Sequence, residues 1–356
     1  MPKIQTLPTL KHKKPRRYRR AIEHNKGIEH KYATYITNII TDLTSLYIQD
    51  IISDIRKSGY IGNVRMVAQD ANPLSLIKSL AKKAAETAGE LLSKAEGGLS
   101  KISTWFSRSM IRDTSNAQQK ATVTAGVPRD YISRKWTAKA IGSQYVAPEV
   151  MAKLPDMIVS QTNLIRNIAD RELEKIQGYI VESLEAGVDM ADMEKMLSTL
   201  ASFDPKRAKR VALDQCIKLS QGIQRANDLA LGFYDAVWIH VPGQYTSRES
   251  HIMLNGQGYD LRKGIFDSEV KKNIQCGELP FCRCIYRVGI PDFVPEAINE
   301  GKTGQLNLLT EEQKQRDKPK RKVAKTRRKS IKTKGGQVSL FEEMKGQKPN
   351  RKRGKK

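Results

Sequence analysis

The net charge of +25 is gathered at the two ends of the chain, and that placement decides which residues can build a core. Residues 317–356 hold 17 Lys or Arg against 3 acids, and residues 1–30 hold 9 against 2, so the stretch between them carries only +4. Like charges at such density repel one another and leave too little apolar surface to repay the entropy of ordering. Folding is therefore expected of the middle, with a basic disordered arm over 1–28 and a basic disordered tail over 294–356. Arms of this kind suit a polyanion, because each neutralised phosphate releases counterions. The cations expected to meet nucleic acid are Lys13, Lys14, Arg16, Arg17, Arg19 and Arg20 in the arm. In the tail they are Lys320, Arg321, Lys322, Arg327, Arg328, Lys329, Arg351, Lys352 and Arg353. A solubilising tail is the plainer alternative.

Several classes are excluded at this level. No stretch approaches the roughly 18 uninterrupted apolar residues of a membrane helix. The basic run from Lys11 to Arg20 has no apolar run behind it, so it does not read as a secretory signal. Four cysteines in 356 residues do not make a disulfide framework, and the chain reads as cytosolic.

From about residue 30 the pattern turns helical. Ile36, Ile39, Ile40, Leu43, Tyr47, Ile48, Ile51, Ile52 and Ile55 recur at three- and four-residue spacing, with Gly59 placed to end the helix. A second helix is expected from Asn72-Pro73 to Gly97-Gly98, with more helix to about residue 120. Its Leu74–Thr104 stretch is amphipathic, but Glu86, Glu90 and Glu96 dilute the face that Lys78, Lys82 and Lys83 would offer a membrane. Residues 122–148 are less regular. Helices follow at about 163–185 and 191–200, and a third is capped by Asp204 and opened by Pro205. After Gly232 the run Ala236–Val241 reads as a strand, a glycine-rich region follows, and Cys284–Val288 reads as a second strand. The fold class predicted is mainly α, an elongated helical body with a small α+β C-terminal module.

The unusual residues concentrate in that module. Trp238, Arg248-x-x-His251, Leu254-Asn255-Gly256 and Cys276-Gly277-Glu278-x-Pro280-x-Cys282-Arg283-Cys284 stand in one order and spacing. Upstream lies Phe203-Asp204-x-x-Arg207-Ala208-x-Arg210-Val211-Ala212. This combination resembles the phage Mu F-like head morphogenesis family over about residues 160–293. The domains expected are then a helical region at 29–160 and a head morphogenesis domain at 161–293. One departure is Leu213-Asp214-Gln215, where the family's upstream helix carries a Thr-Glu pair. The resemblance implies a minor head protein of a tailed bacteriophage, incorporated near the portal during prohead assembly. Its implied partners are the portal protein, inner capsid or scaffold, and double-stranded DNA, with no membrane. Its implied places are the virion interior and, during assembly, the host cytoplasm.

The same residues suggest a metal. Cys282 and Cys284 flank one residue, His251 lies about 30 residues upstream, and Cys276 lies six before Cys282. Thiolates and imidazole suit tetrahedral zinc, which would hold a glycine-rich segment in one shape. The candidate ligands are His251, Cys276, Cys282 and Cys284, with zinc structural; buried, unmetallated cysteines are the alternative. Cys216, mid-helix, is expected in the core. His251 and Asn255 also have a superficial likeness to a His-Asn nuclease, but nothing in the sequence fixes Asp260, Asp267 and Glu278 together as its metal ligands. An enzyme is not expected; a free nucleic-acid-binding protein or a metal-dependent nuclease remain the competing readings. Finally, Gln337-Val338-Ser339-Leu340-Phe341 resembles the bacterial sliding-clamp-binding pentapeptide. Gln337, Leu340 and Phe341 would be its anchors on a host protein.

Overall fold

The computed structural model describes residues 17–58, 73–140, 144–242 and 247–291. In chain order the elements are β1 (Arg17–Tyr18), α1 (Lys26–Lys57), α2 (Pro73–Thr124), α3 (Arg129–Lys135), β2 (Ala138–Lys139) and β3 (Tyr145–Val146). There follow α4 (Pro148–Ala152), α5 (Leu154–Glu185), α6 (Met190–Leu200), α7 (Pro205–Ala230) and β4 (Asp235–Ile239). The last are α8 (Glu249–Met253), β5 (Gly258–Asp260), β6 (Ile265–Asp267), β7 (Lys272–Ile274) and β8 (Ile285–Ile290). The fold is mainly α with a small α+β module, as the hydrophobic periodicity predicts. No described helix is long and apolar enough to cross a membrane.

Helices α1, α2, α5 and α7 form the body, with α5 laid along α2, and α1 packed on both α2 and α7. The predicted stripe of α1 is its buried face: Ile36, Ile39, Ile40, Leu43, Tyr47, Ile51 and Ile55 are all at most 3% exposed. Each such side chain contributes roughly 1.5–3 kcal/mol relative to exposure. Asn25 caps the helix, its Oδ1 accepting from the Gly27 amide at 2.8 Å. Tyr32 stacks on Phe106 of α2 with ring centroids 3.7 Å apart, and its hydroxyl donates to Gln161 of α5 at 2.8 Å. One side chain thus pins three helices together. Asp204 caps α7 as expected, accepting from the Lys206 amide.

Two expectations are corrected. Gly97-Gly98 does not end a helix; α2 runs through it for 52 residues, about 78 Å at 1.5 Å per residue. Leu92, Ala95, Leu99, Ile102 and Phe106 carry one buried stripe across the pair, and that burial outweighs the roughly 1 kcal/mol that each helical glycine costs. Nothing would lie within 4 Å of a Cβ added at Gly97. Gly97→Ala is therefore expected to stabilise the protein by about 0.5–1 kcal/mol. Gly264 has φ +81, and a Cβ there would stand 2.6 Å from the Ile274 carbonyl oxygen, so Gly264→Ala should cost on the order of 1–3 kcal/mol. Urea unfolding midpoints that moved in the same direction for both variants would refute this account.

The second correction concerns the arm. Residues 1–16 lie outside the described residues, but Arg17 to His24 are part of the folded body. β1 pairs antiparallel with β8, Arg17 opposite Ile290 and Tyr18 opposite Gly289. Arg19 is fully buried, with Nη1 2.5 Å and Nη2 2.7 Å from the two oxygens of Asp228. Thr122 accepts from the same guanidinium at 3.3 Å. Asp228 also accepts from Tyr286 and from Gln118, so the carboxylate that faces the buried charge is itself held. Arg19 is a structural cation and cannot reach a phosphate. Arg17 and Arg20 are exposed.

The described strands form a sheet in the order β1-β8-β4-β5, and two hairpins, β2-β3 and β6-β7. β4 pairs antiparallel with β8 in a register that sets Ala236 opposite Val288 and Ile239 opposite Ile285.

Candidate metal centre

Three buried side chains from two separate segments meet at the open end of the β4-β8 ladder. His251 comes from α8, and Cys282 and Cys284 from the turn that leads into β8. His251 Nδ1 is 3.5 Å from Cys282 Sγ and 3.6 Å from Cys284 Sγ. The ligand atoms of these three residues all lie within 4.8 Å of one another, so they form a group able to hold a metal ion.

The surrounding chain explains how they arrive there. The turn before β8 puts Phe281 at φ 58, an unfavourable conformation for a bulky residue. It is held from both sides: the Phe281 amide donates to Asp214 of α7 at 2.5 Å, and Arg248 donates to the Pro280 carbonyl at 3.0 Å. Asp214, at the place where the family pattern has its Thr-Glu pair, therefore anchors the cysteine turn from the helix. Gly277, at φ 76, lets the preceding loop lie against Gln221 and Ile217 of α7. On the far side, Asn255 Oδ1 accepts from the His240 amide at 3.0 Å, and the Gly256 amide donates to the Trp238 carbonyl at 2.8 Å. Trp238, fully buried, presents its ring edge-on to His251 at 5.4 Å. Arg283 lines a cleft of about 550 Å³ together with Lys26, Lys209 and Arg210.

The other imidazole nitrogen is also provided for. His251 Nε2 lies 3.3 Å from Asp267 Oδ2, within ion-pair range but outside hydrogen-bond geometry. Asp267, fully buried, accepts from the Ser250 hydroxyl and from the Glu269 and Val270 amides. Burial pushes its pKa up, but those three donors and the neighbouring imidazole outweigh burial and leave it below the ordinary carboxylate range. A carboxylate behind a histidine is the usual outer partner of a metal-binding imidazole. Between the cysteines, the Cys284 thiol is the largest influence holding Cys282 well below the usual thiol range; burial opposes it and His251 assists. The Cys284 proton is held more tightly by the same contact and by burial.

Cys276 is not part of this group, contrary to expectation. Its sulfur is 3.3 Å from the Ile285 carbonyl, as donor, and 3.6 Å from the Tyr259 hydroxyl. Burial is the main cause that keeps it a thiol. Six residues before Cys282 it sits on the far side of the turn, where its partners are a strand carbonyl and a tyrosine. Cys216 is buried in α7, where burial raises its pKa, as a core thiol should.

No protein-family model matches this chain, and no solved structure matches it. An uncharacterized protein of Haemophilus influenzae is 23% identical over 137 residues, covering 38% of this chain. The chain spans 30% of that relative's length. The head morphogenesis resemblance accordingly rests on the motif residues themselves.

Among those residues the structure gathers Trp238, Arg248, His251, Asn255, Gly256, Pro280, Cys282 and Cys284 around one point. Lys13, Lys14, Arg16, the tail cations from Lys320 to Arg353, and Gln337, Leu340 and Phe341 all lie outside the described residues. Sequence reasoning missed one neighbour of the centre, His240, and could name Asp267 only as an available carboxylate without placing it. The alternation of β4 carried a signal for His240, because residues 238 and 240 share a strand face. Asp267 had no local signal; a hairpin brings it under His251.

Proposed function

We propose that this chain is a minor head protein of a tailed bacteriophage, built around a structural zinc held by His251, Cys282 and Cys284. The observation that carries the reading is the convergence described above. The family-like motif residues, spread from 238 to 284 in sequence, close on one centre, and Arg248, Asn255 and Gly256 each have a local task in shaping it. Donors of this kind suit zinc, as borderline-soft sulfur and nitrogen ligands. A nuclease reading finds little support here. Asn255 is committed to the His240 amide, Asp260 to Arg262, and Glu278 to the Gln275 amide and Lys272. Asp267 alone of the three carboxylates lies beside His251, and it is held by Ser250 and by the Glu269 and Val270 amides.

In this reading the helical body docks on the portal protein, inner capsid or scaffold, and the basic stretches hold packaged DNA. The test is quantitative mass spectrometry of purified proheads and finished virions, where a low fixed copy number is expected. Absence from both particles, with the chain free in the lysate, would overturn the assignment and favour a soluble nucleic-acid-binding protein or a nuclease. For the basic tail, affinity for duplex DNA is expected to fall about a thousandfold or more between 50 and 200 mM salt, as for a protein making several phosphate contacts. Deleting residues 317–356 should flatten that dependence markedly. A salt-insensitive full-length protein would dismiss the phosphate-binding role.

A further inference from the structure

We infer that His240 is the fourth ligand of the metal centre, which makes it a closed site of two cysteines and two histidines. The inference rests on the metal reading above and adds a residue to it. His240 Nδ1 lies 3.7 Å from Cys284 Sγ. Zinc bonds of about 2.3 Å to sulfur and about 2.0–2.1 Å to nitrogen, set at tetrahedral angles, place sulfur and nitrogen about 3.6 Å apart. The observed separations of 3.5, 3.6 and 3.7 Å are three of the four sulfur–nitrogen edges of that tetrahedron.

The backbone supports the same assignment independently of side-chain position. The β4-β8 register sets Trp238 opposite Tyr286 and Ile239 opposite Ile285. Continued by one residue, it sets His240 opposite Cys284, and facing residues of an antiparallel pair have Cβ atoms about 4.5–5.5 Å apart. Asn255 fixes that extension by accepting from the His240 amide. The three buried ligands form the tight group, and the half-buried His240 touches it through Cys284 alone. Filling the last position therefore requires its imidazole to turn inward, with the backbone already placed.

Other candidates for the position are spoken for. Asp267 stands behind His251 on the Nε2 side, away from the thiols that face Nδ1. Cys276 is bonded to the Ile285 carbonyl. Four protein ligands leave no open position for water, so the site holds structure and does not activate a nucleophile. Its ligands would tie the end of β4 to α8 and to the cysteine turn, which β5, β6 and β7 separate from α8 in sequence.

The test is X-ray absorption spectroscopy on the zinc-loaded full chain, with zinc affinity of the wild type, His240→Ala and His240→Cys proteins measured by competition. Two sulfur scatterers and outer-shell scattering from two imidazoles are expected in the wild type. His240→Ala should weaken zinc binding by more than the roughly 10–100-fold that loss of an outer partner costs. His240→Cys should restore tight binding with three sulfur scatterers. A wild-type spectrum with one imidazole, or unchanged affinity in His240→Ala, would overturn the role of His240 and leave the three-ligand centre standing. A wild-type chain that takes up no zinc would overturn the metal reading itself. The spectrum needs no variant, so a poorly folding substitution does not shield the inference.

Discussion

Replacing Arg19 by alanine is expected to cost about 3–5 kcal/mol of folding stability, the range for removing one partner of a buried ion pair. Against a total of roughly 5–15 kcal/mol for a typical domain, that is enough to unfold a large fraction of the molecules on mild heating. The cost arises from Asp228, which would be left charged and fully buried with only Tyr286 and Gln118 as donors. Lysine should not rescue the site, because a single ammonium cannot reproduce the two-pronged contact that Nη1 and Nη2 make with the carboxylate. Arg20, one residue on and exposed, serves as the control, and its alanine variant should fall within about 0.5 kcal/mol of wild type. Urea unfolding of the three variants measures these differences. Equal midpoints for Arg19→Ala and Arg20→Ala would mean that the N-terminal segment does not dock as described.

Zinc should have an effect of similar size. Ligand that binds only the folded state adds about 4.1 kcal/mol when its free concentration is a thousand times the dissociation constant. A rise in the unfolding midpoint with added zinc is therefore expected, reversed by a chelator. In Cys282→Ser the rise should vanish, since a hydroxyl is a poor substitute for a thiolate at such a site. In Cys276→Ser it should persist, because that sulfur bonds a carbonyl and not the centre. If Cys276→Ser and Cys282→Ser lost the zinc response equally, the geometry of the centre would have to be redrawn around the earlier cysteine.

Periodicity made the helical body legible, because a stripe such as Ile36 to Ile55 has only one economical burial. The cap at Asp204-Pro205 was equally readable, its chemistry being local. Where the reading failed, a distant partner had overruled a local rule. Gly97-Gly98 is punctuation by composition, yet the stripe on either side of it is buried against other helices and carries the helix through. Arg19 belongs to a basic run, and its ion pair reaches an aspartate 209 residues away. In the metal centre, Cys282, Cys284 and His251 were legible by residue type and spacing. Cys276 was drawn in by the same reasoning, and only the turn held by Asp214 shows that it points to another partner. The alternation of β4 puts His240 on the face of Trp238, but its place opposite Cys284 needed the register of β4 on β8.

That register has a counterpart at the other edge of β8, where Arg17 faces Ile290. Arg17 and Ile290, the paired residues nearest in sequence to the two basic stretches, therefore lie about one strand spacing apart. On the reading that both basic stretches grip a polyanion, they behave as two hands on one wrist. Once one has hold of a duplex, the other is delivered to the same stretch of phosphates at high effective concentration. Undocking β1 by Arg19→Ala would keep all but one of the charges and lose that advantage. On that reading, the buried ion pair that anchors β1 would set the valency with which the protein meets a polyanion.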